Sequence, residues 1–219
     1  MTKISAPESW KVPENHINIL LNHPWYAVLC NLYRGIFEAT YEFYKKQKIA
    51  PMLFPITTGS ISSPMGLGSD SLPVAVEIKG KKVYLADSMQ FSLEIGARIS
   101  KNGAYYIMPT FRGEDIDERH LNEFIHSEVE IPGNIDDVMI LAEKYIKHIV
   151  SYLIENNADD ITLIAGDIKH LQKVLNNEFK KVSYTEALKD LENIDNSTIN
   201  VYDDFYNITK IGEKHLPLL

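Results

Sequence analysis

Apolar and polar positions recur with two different periods along this chain, and the changes of period mark out its elements. From Pro24 to about Lys48, the residues Val28, Leu32, Ile36, Tyr41 and Tyr44 fall mostly at three- and four-residue steps. That spacing predicts an amphipathic helix, and Pro51 forbids its continuation. "MLFPI" (52–56) reads as a short buried strand. Its Pro55 belongs on an edge or at an interface, because a central strand would lose a ladder bond there. Val74, Val76 and Ile78 then alternate ahead of Lys79-Gly80-Lys81, so "VAVEIKGKKVYLA" predicts a hairpin. Met89 to Ile99 has a helical pattern, and "AYYIMPTF" (104–111) is a strand. Asn134 is an N-cap candidate with Asp136 and Asp137 in the first turn, where the helix dipole favours acids. Ile135, Val138, Leu141, Ala142, Tyr145, Ile149 and Leu153 continue from it as one apolar stripe. Helical patterns return at about 167–178 and 184–192.

A helix, mostly antiparallel strands and then further helices indicate an α+β fold rather than a parallel doubly wound sheet. Residues 1–23, with Pro7 and Pro13, read as an N-terminal arm, and 24–219 as the folded domain. The Gly/Ser/Pro-rich stretch 57–73 is long enough for a functional flap.

Composition narrows the function classes. Lys and Arg number 22 against 30 Asp and Glu, a formal net charge of −8, which gives no general attraction to a nucleic-acid backbone. The lysine clusters at 45, 46, 48 and at 79, 81, 82 read as solvated charge. The single cysteine, Cys30, excludes an intramolecular disulfide and lies in an apolar run that predicts burial. No apolar run is long enough to span a membrane and no signal pattern opens the chain, so the reading is cytoplasmic. The histidines are scattered without metal-ligand spacing.

The chemistry concentrates in "FRGEDIDERHLNEFIHSEVE" (111–130). Taken as two antiparallel strands joined by a loop at 114–120, it places Arg112 and Glu114 on one face, with Phe124 returning beside them. A guanidinium for a phosphate, a carboxylate for an exocyclic amine and a ring for a base suit a nucleotide. A solvated, salt-bridged hairpin has the same composition, and the residues alone leave both readings open.

This stretch resembles motif 2 of the class II aminoacyl-tRNA synthetases, most closely the aspartyl/asparaginyl subgroup, over about residues 105–131. The helix and "MLFPITT" at about 25–58 are similar to motif 1, and "LADSMQFSLEIGAR" resembles the segment lining the amino-acid pocket. The resemblance implies a class II antiparallel sheet flanked by helices, incomplete on its C-terminal, motif 3 side. It implies that Arg112 binds the α-phosphate of ATP, Glu114 takes the adenine amine and Phe124 stacks on adenine. Arg119 and His120 would meet the outer phosphates. Gln90 would contact the substrate backbone and Glu94 the pocket, with Leu93 where aspartyl enzymes carry a lysine. His126 would line the pocket, and Asp70 would replace the flap acid that holds the substrate ammonium.

ATP with Mg2+ is the implied cofactor set, and an amino acid the implied substrate. A homodimer through the motif 1 region is the implied assembly. No anticodon-binding barrel precedes the core, and the chain stops before the arginine of motif 3 and the acidic strand that usually binds Mg2+. The expectation is therefore a tRNA-independent ligase that forms an aspartyl or similar adenylate and passes it to ammonia or another amine, with motif 3 supplied by a second subunit. The alternatives are a non-catalytic regulatory paralogue and one half of a split asparaginyl-tRNA synthetase.

Overall fold

A computed structural model describes residues 3–59, 61, 72–116, 120–202 and 206–216, in two compact units divided after Glu178. The first contains helices α1 (His16–Asn22) and α2 (Pro24–Lys46), strands β1 (Ala50–Pro51), β2 (Thr57–Thr58), β3 (Ala75–Ile78) and β4 (Lys81–Leu85), and helix α3 (Gln90–Ser100). It continues through β5 (Ala104–Phe111), β6 (Glu123–Glu130), α4 (Ile135–Ala165) and α5 (Lys169–Asn176). The second contains α6 (Tyr184–Glu192), β7 (Ile199–Val201), β8 (Tyr206–Ile208) and α7 (Lys210–His215).

Two three-stranded sheets build the first unit, in the orders β1-β5-β6 and β2-β4-β3. Every pairing is antiparallel except β1 with β5, which is parallel. The α+β class stands, with one parallel edge strand. Pro109 is tolerated in the middle strand because β1 pairs only with Ala104 and Tyr105, so β5 is itself an edge by residue 109. The β3–β4 turn has Lys79 at φ 50° and Gly80 at φ 76°, the two left-handed positions that a two-residue hairpin requires.

Strand β5 is nearly continuously apolar because both of its faces are covered. On one face α2 and α4 pack through Phe43, Tyr44, Ile49 and Tyr105, with Ile107, Val129 and Tyr145 closing around them. Tyr44 stacks on Tyr105 at 4.1 Å, and a hydroxyl chain runs from Thr40 through Tyr145 to Ser127. Tyr44 meets the same Ser127 hydroxyl at 3.3 Å, and burial raises its pKa. Where α4 crosses α2, a Cβ on Gly35 would lie 2.5 Å from Asn157 Oδ1, and Asn157 itself kinks α4. On the opposite face α3 covers half of the sheet, burying Leu93 with Ala86, Met89, Ala104, Tyr106 and Met108. Among the described residues no helix covers the other half of that face, where Thr110 is fully buried.

The structure departs from the sequence pattern in three places. Residues 52–56 are irregular, and the strand lies just before them at Ala50–Pro51, with Leu53 fully exposed. Cys30 is exposed rather than buried, because the buried face of α2 runs instead through Val28, Gly35, Ala39 and Phe43. Residues 16–22 of the expected irregular arm form α1. Asn134 does cap α4, in a reciprocal box with Asp137, and the helix runs on to Ala165. None of the helices among the described residues is long and apolar enough to cross a membrane.

In the second unit, Ser183 and Glu186 form a capping box on α6, and Leu191, Thr198 and Ile199 are buried. A Cβ on Gly212 would lie 2.3 Å from the Thr198 carbonyl, so α7 can seat on the 196–198 turn only with glycine there.

Candidate active site

The register of β5 against β6 decides which side chains share the open face. Tyr106 pairs with Glu128, Met108 with His126 and Thr110 with Phe124. Arg112 extends the pairing by one step, its N–H donating to the Asn122 carbonyl at 2.9 Å. Side chains two apart on a strand point the same way. The open face therefore carries Thr110, Arg112, Phe124, His126, Glu128 and Glu130 in one array.

At the loop end of this array the Arg112 guanidinium lies over the Phe124 ring, 5.7 Å from its centroid. Arg112 Nε is buried and has no hydrogen-bond partner. Glu114 accepts from the Leu72 N–H at 3.1 Å through one carboxylate oxygen, and the Asn122 amide ties down the carbonyls of Arg112 and Glu114. Gly113 N–H donates to the Leu72 carbonyl, so 72–73 and 112–114 are held together.

At the α3 end Glu128 is the centre. It accepts from the Ser88 hydroxyl at 2.7 and 3.0 Å and from the Tyr106 hydroxyl. The same Tyr106 oxygen accepts from the Met89 N–H at 3.1 Å, and Ser88 Oγ accepts from the Gln90 N–H at 3.1 Å. The N-terminus of α3 is thus tied to one carboxylate on β6. Gln90 and Glu94 are one turn apart on α3, and Glu94 is close enough to Glu130 to act on its charge. Burial, then Glu94, then Glu128 raise the Glu130 carboxyl above the usual range. Burial and the bond to Glu128 raise the Tyr106 phenol, which stays a donor at every ordinary pH. A cavity of about 300 Å³ opens beside Ser88, lined also by Thr58, Gly59, Met89, Phe91 and Ser92.

Between the two ends stands His126, its ring edge-on to Tyr106 at 6.0 Å and to Phe124 at 5.9 Å. Its Nδ1 is buried, unpartnered and 3.8 Å from Glu128 Oε2, beyond hydrogen-bond reach. Five buried side-chain polar atoms among the described residues have no partner, and three of them (Thr110 Oγ1, Arg112 Nε, His126 Nδ1) belong to this array. Buried polar groups are normally satisfied, so the concentration of orphans here is what a ligand site predicts.

Of the residues in the sequence reading, the structure puts Arg112, Phe124 and His126 side by side, with Glu114 tied to Leu72 at the loop end and Gln90 and Glu94 on α3 at the other. His120 is exposed in the irregular segment ahead of β6, and Arg119 and Asp70 fall outside the described residues. Leu93 is fully buried in the core beneath the array and supplies an apolar floor. Three residues went unremarked as site residues: Ser88, Tyr106 and Glu128. The signal was available, since stepping by two from Phe124 gives His126, Glu128 and Glu130.

Comparison with known proteins bears on what such an array serves. Residues 17–212 match the family model for "tRNA synthetases class II (D, K and N)". The chain belongs to this family. Among its relatives, the asparagine–tRNA ligase of Koribacter versatilis is 31% identical over 200 residues, which are 85% of this chain and 44% of that protein. The asparagine–tRNA ligase of Bacteroides fragilis is 34% identical over 151 residues, 65% of this chain and 32% of that one. Among solved structures, asparaginyl-tRNA synthetase from Pyrococcus horikoshii complexed with asparaginyl-adenylate matches with a TM-score of 0.76 at 22% identity, over 91% of this chain and 44% of that chain. The Entamoeba histolytica asparaginyl-tRNA synthetase gives 0.74 at 19% identity, over 97% and 47%. The chain spans under half the length of these synthetases, and the structural likeness establishes a shared fold.

Proposed function

We propose that this chain binds ATP and an amino acid with an amide side chain, and joins them as an aminoacyl-adenylate. The observation that carries this reading is the Arg112 guanidinium lying over Phe124 with its buried Nε unpartnered. A planar guanidinium poised beside a ring is suited to a phosphate and its base together. In the reaction, a carboxylate oxygen of the amino acid attacks the α-phosphorus, the bond to the β-phosphate bridging oxygen breaks, and diphosphate leaves. Arg112 balances the charge that grows on the α-phosphate oxygens. Phe124 covers the adenine, and Glu114 offers its second oxygen to the exocyclic amine. Gln90 contacts the amino-acid backbone, Arg119 and His120 the outer phosphates, and Asp70 the α-ammonium.

The sequence leaves aspartate and an amide side chain both open, with Leu93-Glu94 pointing to the amide, and the acidic surroundings favour the amide. Glu94, Glu128 and Glu130 gather at the α3 end, where Glu128 is bonded to the Ser88 and Tyr106 hydroxyls. Carboxylates accept from an amide NH2 and repel a substrate carboxylate. Among the described residues no three His, Cys, Asp or Glu side chains converge as a metal cage. Mg2+ would arrive with the ATP phosphates, and no step above is assigned to it. The net charge of −8 favours a small amine over a polyanionic tRNA as the final acyl acceptor.

Calorimetry with ATP·Mg and with the non-hydrolysable sulfamoyl analogue of asparaginyl-adenylate tests the reading. The chain should bind the analogue more tightly than ATP and more tightly than the aspartyl analogue. Arg112→Ala should weaken analogue binding by roughly 10- to 100-fold, the loss of one charge-assisted pair. A folded chain that binds neither compound overturns the proposal.

A further inference from the structure

We propose that His126 is a positioning residue that sets the acceptor state of Glu128 and so makes amino-acid binding pH-sensitive. This deepens the adenylate reading above and rests on it. The Glu128 carboxylate is already fixed by Ser88 and Tyr106. A carboxylate can accept more bonds than these two hydroxyls supply, and an amide side chain would use what remains. His126 is its neighbour, one step back on the same strand face.

The geometry allows two arrangements. With a neutral ring, Nδ1 stands 3.8 Å from Glu128 Oε2 without bonding to it, and the carboxylate is free to receive the substrate. With a protonated ring, Nδ1–H needs a shift of only about 1 Å to reach charge-assisted hydrogen-bond distance. Glu128 would then be taken by the protein itself. The edge contacts with Phe124 and Tyr106 hold the ring on this line and leave rotation about its own bonds as the available movement. The charged or titratable groups that meet it are Glu128 on β6 and Tyr106 on β5, with Arg112 on Phe124 next along the face; Glu130, two same-face steps on, feels the charge of Glu94. Imidazole is the side chain that titrates between about pH 5 and 8.

Two measurements test this with separate failures. In the ligand-free chain, the His126 ring resonances are followed by NMR from about pH 5 to 9, in wild type and in Glu128→Gln. The midpoint should move to lower pH in the variant, because the carboxylate that favours the imidazolium is gone. An unchanged midpoint overturns the proposal whatever the chain binds. Second, the asparaginyl sulfamoyl analogue is titrated across the same range. Wild type should bind about tenfold more weakly at the acid end, the size of one charge-assisted hydrogen bond, while His126→Gln should stay within about twofold. An acid limb that persists in His126→Gln belongs to another group and overturns the proposal. Absence of analogue binding at every pH, with the NMR shift present, sinks the adenylate reading and with it the binding role assigned to His126. The coupling of His126 to Glu128 would stand.

Discussion

Removing one oxygen, Tyr106→Phe, tests whether the α3 end of the array is built as described. The Tyr106 side chain is 1% exposed, and its hydroxyl joins two partners: it accepts from Met89 N–H at 3.1 Å and donates to Glu128. Phenylalanine keeps the ring and its contacts with Phe54 and His126 but supplies neither bond. The Met89 amide, at the buried start of α3, would be left without a partner, at a cost of about 1–3 kcal/mol. Glu128 keeps the Ser88 hydroxyl and is 21% exposed, so water makes up part of its loss and about 1 kcal/mol is a reasonable share. The sum is about 2–4 kcal/mol, a large fraction of the stability of an ordinary domain.

Urea unfolding followed by tryptophan fluorescence is a suitable assay, because Trp10 and Trp25 both belong to the first unit. The midpoint should fall with the slope unchanged. The sign of the pH dependence supplies a second check. Folding raises the Tyr106 pKa above its unfolded value of about 10. Its contribution is therefore complete below about pH 10 and is lost as pH rises through the folded value. The gap between wild type and variant should narrow in alkali, where wild type alone loses this contribution, while Tyr44 leaves a residual slope in both proteins. A variant within 0.5 kcal/mol of wild type, with the same alkaline slope, would refute the buried two-partner hydroxyl (a threshold set by the ordinary scatter of neutral surface substitutions).

Two further outcomes are expected. Glu130 has a folded pKa above its unfolded one, so its stabilising contribution exists only below the unfolded pKa and disappears as pH rises through the folded value. Glu130→Gln should accordingly be more stable than wild type at pH 7 in urea titrations, with the gain vanishing towards about pH 4; a loss of stability at pH 7 would contradict the acidic crowding. On the outer face of α2, Tyr33, Phe37 and Tyr41 repeat at four-residue steps with 55%, 44% and 55% exposure, beside exposed Leu121 and Ile125. If a second copy covers this face, Phe37→Glu in each protomer forfeits about 3–6 kcal/mol per dimer. Sedimentation velocity should then show a dimer turning into a monomer, and a wild-type monomer at tens of micromolar would dismiss this assembly.

How far the sequence disclosed the site can be argued residue by residue. Arg112 and Phe124 were legible because the strand period and a short loop are local facts, and local facts survive folding. Helix α4 and its Asn134 cap were legible for the same reason. Glu128 was not, although it lies on the same strand as Phe124. Its importance comes from Ser88 and Tyr106, 40 and 22 residues away, which reach it only once β5 is paired and α3 is laid across the sheet. Cys30 shows the converse limit. An apolar neighbourhood in sequence predicted burial, but the crossing of α4 turned the face with Gly35 and Ala39 inward, because small residues allow the helices to approach. Periodicity gives the existence of a buried face; the partner helix chooses which one.

The open half of the β5–β6 face is best understood against the half that α3 covers. Both are the same side of the same two strands. Under α3 the β5 side follows the rules of a core: Ala104, Tyr106 and Met108 are buried against Leu93 and Met89, and the Tyr106 hydroxyl has both its partners, Met89 N–H and Glu128. Past the edge of α3 a guanidinium nitrogen, an imidazole nitrogen and a hydroxyl are buried and unpartnered, while Glu94, Glu128 and Glu130 crowd at the α3 end itself. A sequence selected only for folding would have continued the apolar alternation, since consistency at every level lowers the energy of the native state. Keeping orphaned donors and repelling acids costs stability, and Glu130→Gln measures part of that cost. The remaining rationale for the array is a ligand that satisfies donors at the Arg112 end and acceptors at the Glu128 end. An adenylate, with its phosphate at one end and an amide side chain at the other, meets both demands in one molecule.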